Sequence, residues 1–288
     1  MIEVNQLTKH FDICTAVDNV SFTVEKGEIL GFVGPNGAGK STTMRMITGY
    51  LPPSAGTAVI GGRDIVQDGL NARKMIGYLP ENAPVYREMT VYGFLDFIAE
   101  VRGFSGDQRR KAVSAAIEKC FLAGVRNQSV GTLSKGFKQR VCFAQTILHD
   151  PPYLILDEPT DGLDPNQKHE VRQMIRDMSA EKAVILSTHI LDEVDAVCTR
   201  VIIIDDGKLV ADDTPHGLRA RSRTHGAVSL LLSAALPEGL AEEIEQLQDV
   251  DACELTDEPA GFRLRAFPRE PGLPIAPRIL SLAHDKGA

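Results

Sequence analysis

Paired cysteines are missing: Cys14, Cys120, Cys142, Cys198 and Cys253 are scattered, odd in number and include no Cys-x-x-Cys. That pattern excludes a disulfide framework and a cysteine-rich metal site, and it reads as reduced cysteine used for packing. No run of Lys and Arg is long enough to track a nucleic-acid backbone, and with a net charge of −8 no nucleic acid is expected as a partner. The longest uncharged apolar stretch of the C-terminal region, Gly226 to Pro237, falls far short of the roughly 20 residues that cross a bilayer, so no membrane-spanning segment is expected. Met1-Ile2-Glu3-Val4-Asn5 has no basic start ahead of an apolar core and does not resemble a secretory signal, which makes a cytosolic protein the expectation.

What is present suits a globular chain. With 43% apolar residues, its 288 residues can build one large domain or a large domain and a smaller one. Short β-branched runs at Ile2 to Leu7 and Val20 to Val24 read as strands joined by turns, as do Thr57 to Ile60 and Met75 to Leu79. From about Thr90 to Lys119 the apolar spacing becomes helical, which predicts a helical insertion. Tyr153 to Leu156, Ala183 to Ser187 and Arg200 to Ile204 then alternate with helix-length segments, the mark of a mostly parallel sheet. Beyond about residue 220 the pattern predicts a small α+β appendage: strands at Ala227 to Leu232, Ala252 to Thr256 and Phe262 to Phe267, helices at Gly239 to Leu247 and Pro277 to His284. It carries no chemistry-bearing cluster, and His284 near the terminus reads as solvated.

Two segments carry chemistry. Gly34-Pro35-Asn36-Gly37-Ala38-Gly39-Lys40-Ser41 follows the apolar run Ile29 to Val33 and precedes a helix-like stretch from Lys40 to Ile47. Strand, glycine-rich loop and helix start are what a phosphate-binding loop needs: backbone N–H groups free to curl around phosphate oxygens, and a helix dipole that favours negative charge. The second segment is the apolar strand Tyr153 to Leu156 ending in Asp157 and Glu158. Asp157 suits Mg²⁺ held through water and the Ser41 hydroxyl; Glu158, pointing elsewhere because strand side chains alternate, is placed to take a proton from an attacking water.

With five further segments in order, the chain resembles the ATP-binding subunits of ABC transporters over about residues 1 to 215. Leu133-Ser134-Lys135-Gly136-Phe137 resembles the family signature, with Lys135 and Phe137 departing from it; Thr160-Asp161-Gly162-Leu163-Asp164-Pro165 resembles the D-loop. His189 falls at the switch histidine, Glu81 at the Q-loop position in place of the usual glutamine, and Phe11 where an aromatic residue stacks on adenine. The resemblance implies a P-loop NTPase of the ABC-ATPase fold. Its parts are a mostly parallel α/β core, an antiparallel β subdomain and a helical insertion at about 84–150, together forming an ATP-binding domain at 1–219, with a small α+β accessory domain at 220–288.

It also implies ATP and Mg²⁺ as cofactors. Nucleotide would be bound by Phe11, Gly34, Pro35, Asn36, Gly37, Ala38, Gly39, Lys40, Ser41, Thr42, Glu81, Ser134, Gly136, Asp157 and Asp164, and Mg²⁺ by Ser41, Asp157 and Glu81. Lys40, Glu158 and His189 would be catalytic. Ser134 could equally cap the helix that follows it, and Asp164 could cap one starting at Pro165. Because the signature serves a nucleotide on the opposite protomer, hydrolysis would need a head-to-tail pair sandwiching two ATP molecules, made with a second copy or a related ATPase subunit. The expected partner is an integral membrane permease, the place the inner face of the cell membrane. Leu79 to Pro84, the signature and Asp164 to Gln167 look most like a bacterial branch that includes gliding-motility type ATPases and ABC-2 type multidrug exporters. A soluble ATPase of the same family acting on ribosomes or DNA is the alternative. It is disfavoured by the acidic charge and by the lack of a second ATPase unit or long coiled coil.

Overall fold

The computed structural model describes residues 1–82, 85–221, 225–232, 237, 239–258, 261–270 and 272–286. It divides into two compact units, Met1–Pro215 and His216–Ala288. The first opens with β1 (Ile2–Phe11), β2 (Cys14–Val24), β3 (Ile29–Val33) and α1 (Lys40–Ile47). β4 (Ala55–Ile60), β5 (Arg63–Asp64), α2 (Gly69–Lys74) and β6 (Ile76–Leu79) follow, then three helices, α3 (Val91–Val101), α4 (Gly106–Lys119) and α5 (Lys135–Ile147). Strand and helix then alternate through β7 (Tyr153–Asp157), α6 (Pro165–Ser179), β8 (Ala183–Thr188), α7 (Leu191–Val197), β9 (Arg200–Asp205) and β10 (Lys208–Asp213), after which α8 covers Pro215–Ala220.

The six-stranded sheet has the order β10-β9-β3-β8-β7-β6, with parallel pairing from β9 through β6 and only β10 antiparallel at one edge. Every residue of β3 and β8 is buried, as expected of parallel strands covered on both faces. Leu30, Phe32, Ile155, Ile185 and Ile202 share a core with Met44 and Ile47 of α1. A second sheet, β2-β1-β4-β5, is antiparallel. Phe22 packs on Phe32 with ring centroids 5.5 Å apart, which joins the two sheets. In α3, Val91, Phe94, Leu95 and Ala99 form one buried stripe, and the Thr90 hydroxyl caps the helix by accepting the Gly93 N–H at 3.0 Å. No described helix is long and apolar enough to cross a membrane.

The first hairpin is longer than the alternation of apolar residues predicts. Past register shifts, Lys9 pairs with Val17, His10 with Thr15 and Phe11 with Cys14. These residues are mostly exposed and are held by backbone pairing, which leaves no trace in a hydrophobic pattern.

The second unit carries β11 (Val228–Leu232), α9 (Leu240–Glu245), β12 (Val250–Glu258), β13 (Gly261–Pro268) and α10 (Ala276–Asp285). Its antiparallel sheet has the order β11-β13-β12, and Leu240, Ile244, Leu264, Ala266 and Ile279 form a core of its own.

Candidate active site

The central strand β3 ends at Val33, and the chain turns through Gly34 to Gly39 into α1. Two backbone positions in that turn require glycine. Gly39 has φ +102°, and a Cβ there would lie 2.4 Å from the Ala16 carbonyl oxygen; at Gly34 a Cβ would lie 2.2 Å from that of Ile204. Gly37, at φ +87°, has nothing within 4 Å of its Cβ position and borders open space. Helix α1 starts with no side-chain cap and no acidic residue in its first turn, so its partial positive charge has no anion of its own. Lys40 is buried, and its ammonium donates to the carbonyls of Gly34 at 2.7 Å and Pro35 at 3.0 Å. That brace keeps a positive charge on the loop.

β7 brings Asp157 beside this loop. Asp157 Oδ1 accepts hydrogen bonds from the hydroxyls of Ser41, at 3.2 Å, and Ser187, while its buried Oδ2 has no protein partner. A carboxylate that is 1% exposed with one oxygen unpaired is costly unless a cation or donor completes it. Two hard oxygen ligands rather than a closed cage fit Mg²⁺, which keeps waters and shares its shell with phosphates. The residues present therefore suit that ion.

The strand ends at Asp157, so Glu158 is not turned by strand alternation as the sequence suggests. It takes the left-handed conformation, φ +50°, and its N–H donates to the Ser187 carbonyl at 3.2 Å and hydroxyl at 3.1 Å. That turn directs its carboxylate to His189, whose Nδ1 lies 3.0 Å from both Glu158 oxygens. Burial pushes the Glu158 carboxyl above the ordinary carboxylate range, and the His189 contact offsets part of that shift.

A cavity of about 500 Å³ is lined by Asn36, Gly37, Gly39, Lys40, Ser41 and Thr42 on one side and by Glu81, Glu158, Asp161 and His189 on another. Size does not single it out, since a groove beside Arg45 and Tyr78 has about 750 Å³. Chemistry does: a lysine, a helix N-terminus, three carboxylates and an imidazole converge here.

Other expected site residues lie elsewhere. Phe11 ends β1, is 45% exposed with the Lys9 ammonium 5.2 Å from its ring centroid, and does not line the cavity. Ser134 caps α5, accepting the Phe137 N–H at 3.4 Å, and a Cβ on Gly136 would meet the Gln167 amide at 2.4 Å, so these two sit where α5 and α6 begin. Asp164 caps α6, accepting the Gln167 N–H at 2.9 Å. Sequence reasoning missed Ser187 as the hydroxyl that steadies Asp157 and Glu158, and Ala16 as a wall of the cavity.

A family model described as "ABC transporter" matches residues 17–161. The chain belongs to the ABC transporter family. This ABC ATP-binding subunit is 39% identical over 224 residues to the probable multidrug ABC transporter ATP-binding protein YbhF of Escherichia coli K12, covering 77% of this chain and 38% of that protein. It therefore spans well under half the length of that relative. With Nod factor export ATP-binding protein I of Burkholderia lata it shares 34% identity over 218 residues, covering 75% of this chain and 72% of that one. A solved ATP-binding subunit of an ABC transporter superposes with a TM-score of 0.70 at 30% identity, over 76% of this chain and 92% of the other.

Proposed function

We propose that this subunit binds ATP with Mg²⁺ in the cavity between the Gly34–Ser41 loop and Glu158, hydrolyses it, and so powers export through a separate membrane permease. The observation that carries the reading is the Glu158 and His189 pair, in contact at 3.0 Å on the rim of the same cavity as Lys40. Lys40 and the loop N–H groups bind and orient the phosphates, and their fixed charges stabilise the transition state without reorganising. Ser41 and Asp157 would hold Mg²⁺, with Glu81 on the cavity wall as a further oxygen donor; the ion would supply neutralisation of phosphate charge. Glu158 accepts a proton from the water that attacks the γ-phosphorus as the bond to the leaving ADP oxygen breaks. The raised affinity of Glu158 for a proton suits that task. His189 holds the carboxylate in line.

Ser134, Gly136 and Asp164 lie outside this cavity, which fits a head-to-tail pair in which they serve the opposite nucleotide. ATP binding to the closed pair and its loss on hydrolysis would then drive the cycle by differential affinity. The multidrug and Nod factor export relatives support an exporter, and the resemblance of Leu79 to Pro84, the signature and Asp164 to Gln167 to the ABC-2 and gliding-motility branch supports that reading. Such a subunit works as a peripheral protein on the cytoplasmic face of the membrane.

The test is Glu158→Gln. It should bind ATP with wild-type affinity and lose about a hundredfold or more in turnover, because Gln keeps the shape but accepts no proton. Undiminished turnover would remove Glu158 from this role.

A further inference from the structure

Glu193, in the first turn of α7, is 1% exposed. A carboxylate so buried needs donors for both oxygens, and it has them from three separate parts of the chain. Its Oε1 accepts from the Thr160 hydroxyl and from Lys168 Nζ at 3.3 Å, with Arg172 Nη2 at 3.6 Å. Its Oε2 accepts from Thr188 Oγ1 at 3.0 Å. One oxygen thus serves the loop that follows Glu158, and the other serves the residue before His189.

Each tie extends to the catalytic side chain it serves. Thr188 Oγ1 also accepts the Ile190 N–H at 3.0 Å, so the residues on both sides of His189 are pinned. On the other loop, the Asp161 N–H donates to the Glu158 carbonyl at 3.2 Å and the Leu163 N–H to that of Thr160 at 3.2 Å, closing a compact turn around the Thr160 anchor. Lys168 and Arg172 reach in from α6 and set their charges against the carboxylate.

We propose that Glu193 is a positioning residue for hydrolysis. The fixed span between its two oxygens sets the separation of the Glu158 and His189 loops, and thereby holds His189 Nδ1 at 3.0 Å from Glu158. The inference rests on the ATPase reading above. Glu193, Thr160 and Thr188 do not line the cavity, so they act on the geometry of the reacting groups rather than on nucleotide affinity.

Glu193→Ala would open a buried cavity and strip Thr160, Lys168 and Thr188 of their acceptor, which risks the fold, so the test uses volume-conserving variants of the full-length protein. Thr188→Val keeps volume and removes both the bond to Glu193 and the acceptor of the Ile190 N–H, the two bonds that pin the histidine loop, while leaving the Thr160 tie in place. It should lower kcat by about ten- to a hundredfold, the scale expected when reacting groups shift by a fraction of an ångström to an ångström. KM and equilibrium affinity for ATP should stay within about twofold of wild type. Glu193→Gln keeps an acceptor for Thr160 and an amide facing Thr188, so it should recover to within about threefold of wild-type kcat. Placed on His189→Ala, Thr188→Val should add no further loss, because both act through the same group. A Thr188→Val kcat within about twofold of wild type, or an ATP affinity that falls in step with kcat, would overturn the proposal. Absence of hydrolysis by the wild-type protein would instead sink the ATPase reading, and this inference with it.

Discussion

At the scale of single residues, stability and function depend on buried polar groups whose partners lie far away in sequence. Lys40, Ser41, Asp157, Glu158 and His189 were legible because each stands in a short ordered motif. Glu193 was not: four residues past His189 on a short helix, it looks like a solvated carboxylate until Thr160, Lys168 and Arg172 are folded against it. His149 is a second such group. Its Nε2 lies 3.1 Å from the Ile76 carbonyl, and its buried Nδ1 has no partner. Burial, with Arg102 nearby, pulls its pKa down from 6.5 to about 4. As pH falls, the unfolded chain takes up this proton near pH 6.5 while the folded chain resists until about pH 4. The contribution is therefore fully present above pH 6.5 and is lost, by roughly 3 kcal/mol, through that window. Urea unfolding at about pH 7.5 and about pH 5 should show about 2 kcal/mol of this loss in wild type and a flatter dependence in His149→Gln. Equal pH dependence in the two proteins would show that His149 is not its source.

Elements were legible where periodicity or capping chemistry is local. The buried runs of β3, β7 and β8 alternate with helix-length segments, and that pattern alone points to a parallel sheet. The outer half of the first hairpin was not legible, because Lys9, His10 and Thr15 pair through backbone while facing solvent. Caps were readable where the residue type is decisive: Asp164 ahead of Pro165 starts α6, with Oδ1 2.9 Å from the Gln167 N–H. Asp164→Ala should lower stability by about 1 kcal/mol in denaturant unfolding, and Asp164→Asn should retain most of it. An Ala variant as stable as wild type would mean that the cap contributes nothing and that Asp164 matters only for the site.

For the whole molecule, the division of labour follows the two units. Every residue assigned to nucleotide chemistry lies in Met1–Pro215, whereas His216–Ala288 has its own sheet and core. The order of strands in the large sheet explains why residues so distant in sequence meet: β3, β8 and β7 are adjacent and parallel, so the loop after Val33, the turn at Glu158 and His189 emerge at one edge. Sequence order hides that adjacency, and family resemblance supplied it. The proposed permease would be a separate chain and so leaves no mark at this scale. The most direct measurement is to purify tagged Glu158→Gln protein from its own cells in mild detergent with ATP and to identify what accompanies it by mass spectrometry. A polytopic membrane protein retained with the trapped subunit is the predicted result; ribosomal or DNA-bound proteins with no membrane component would contradict the account.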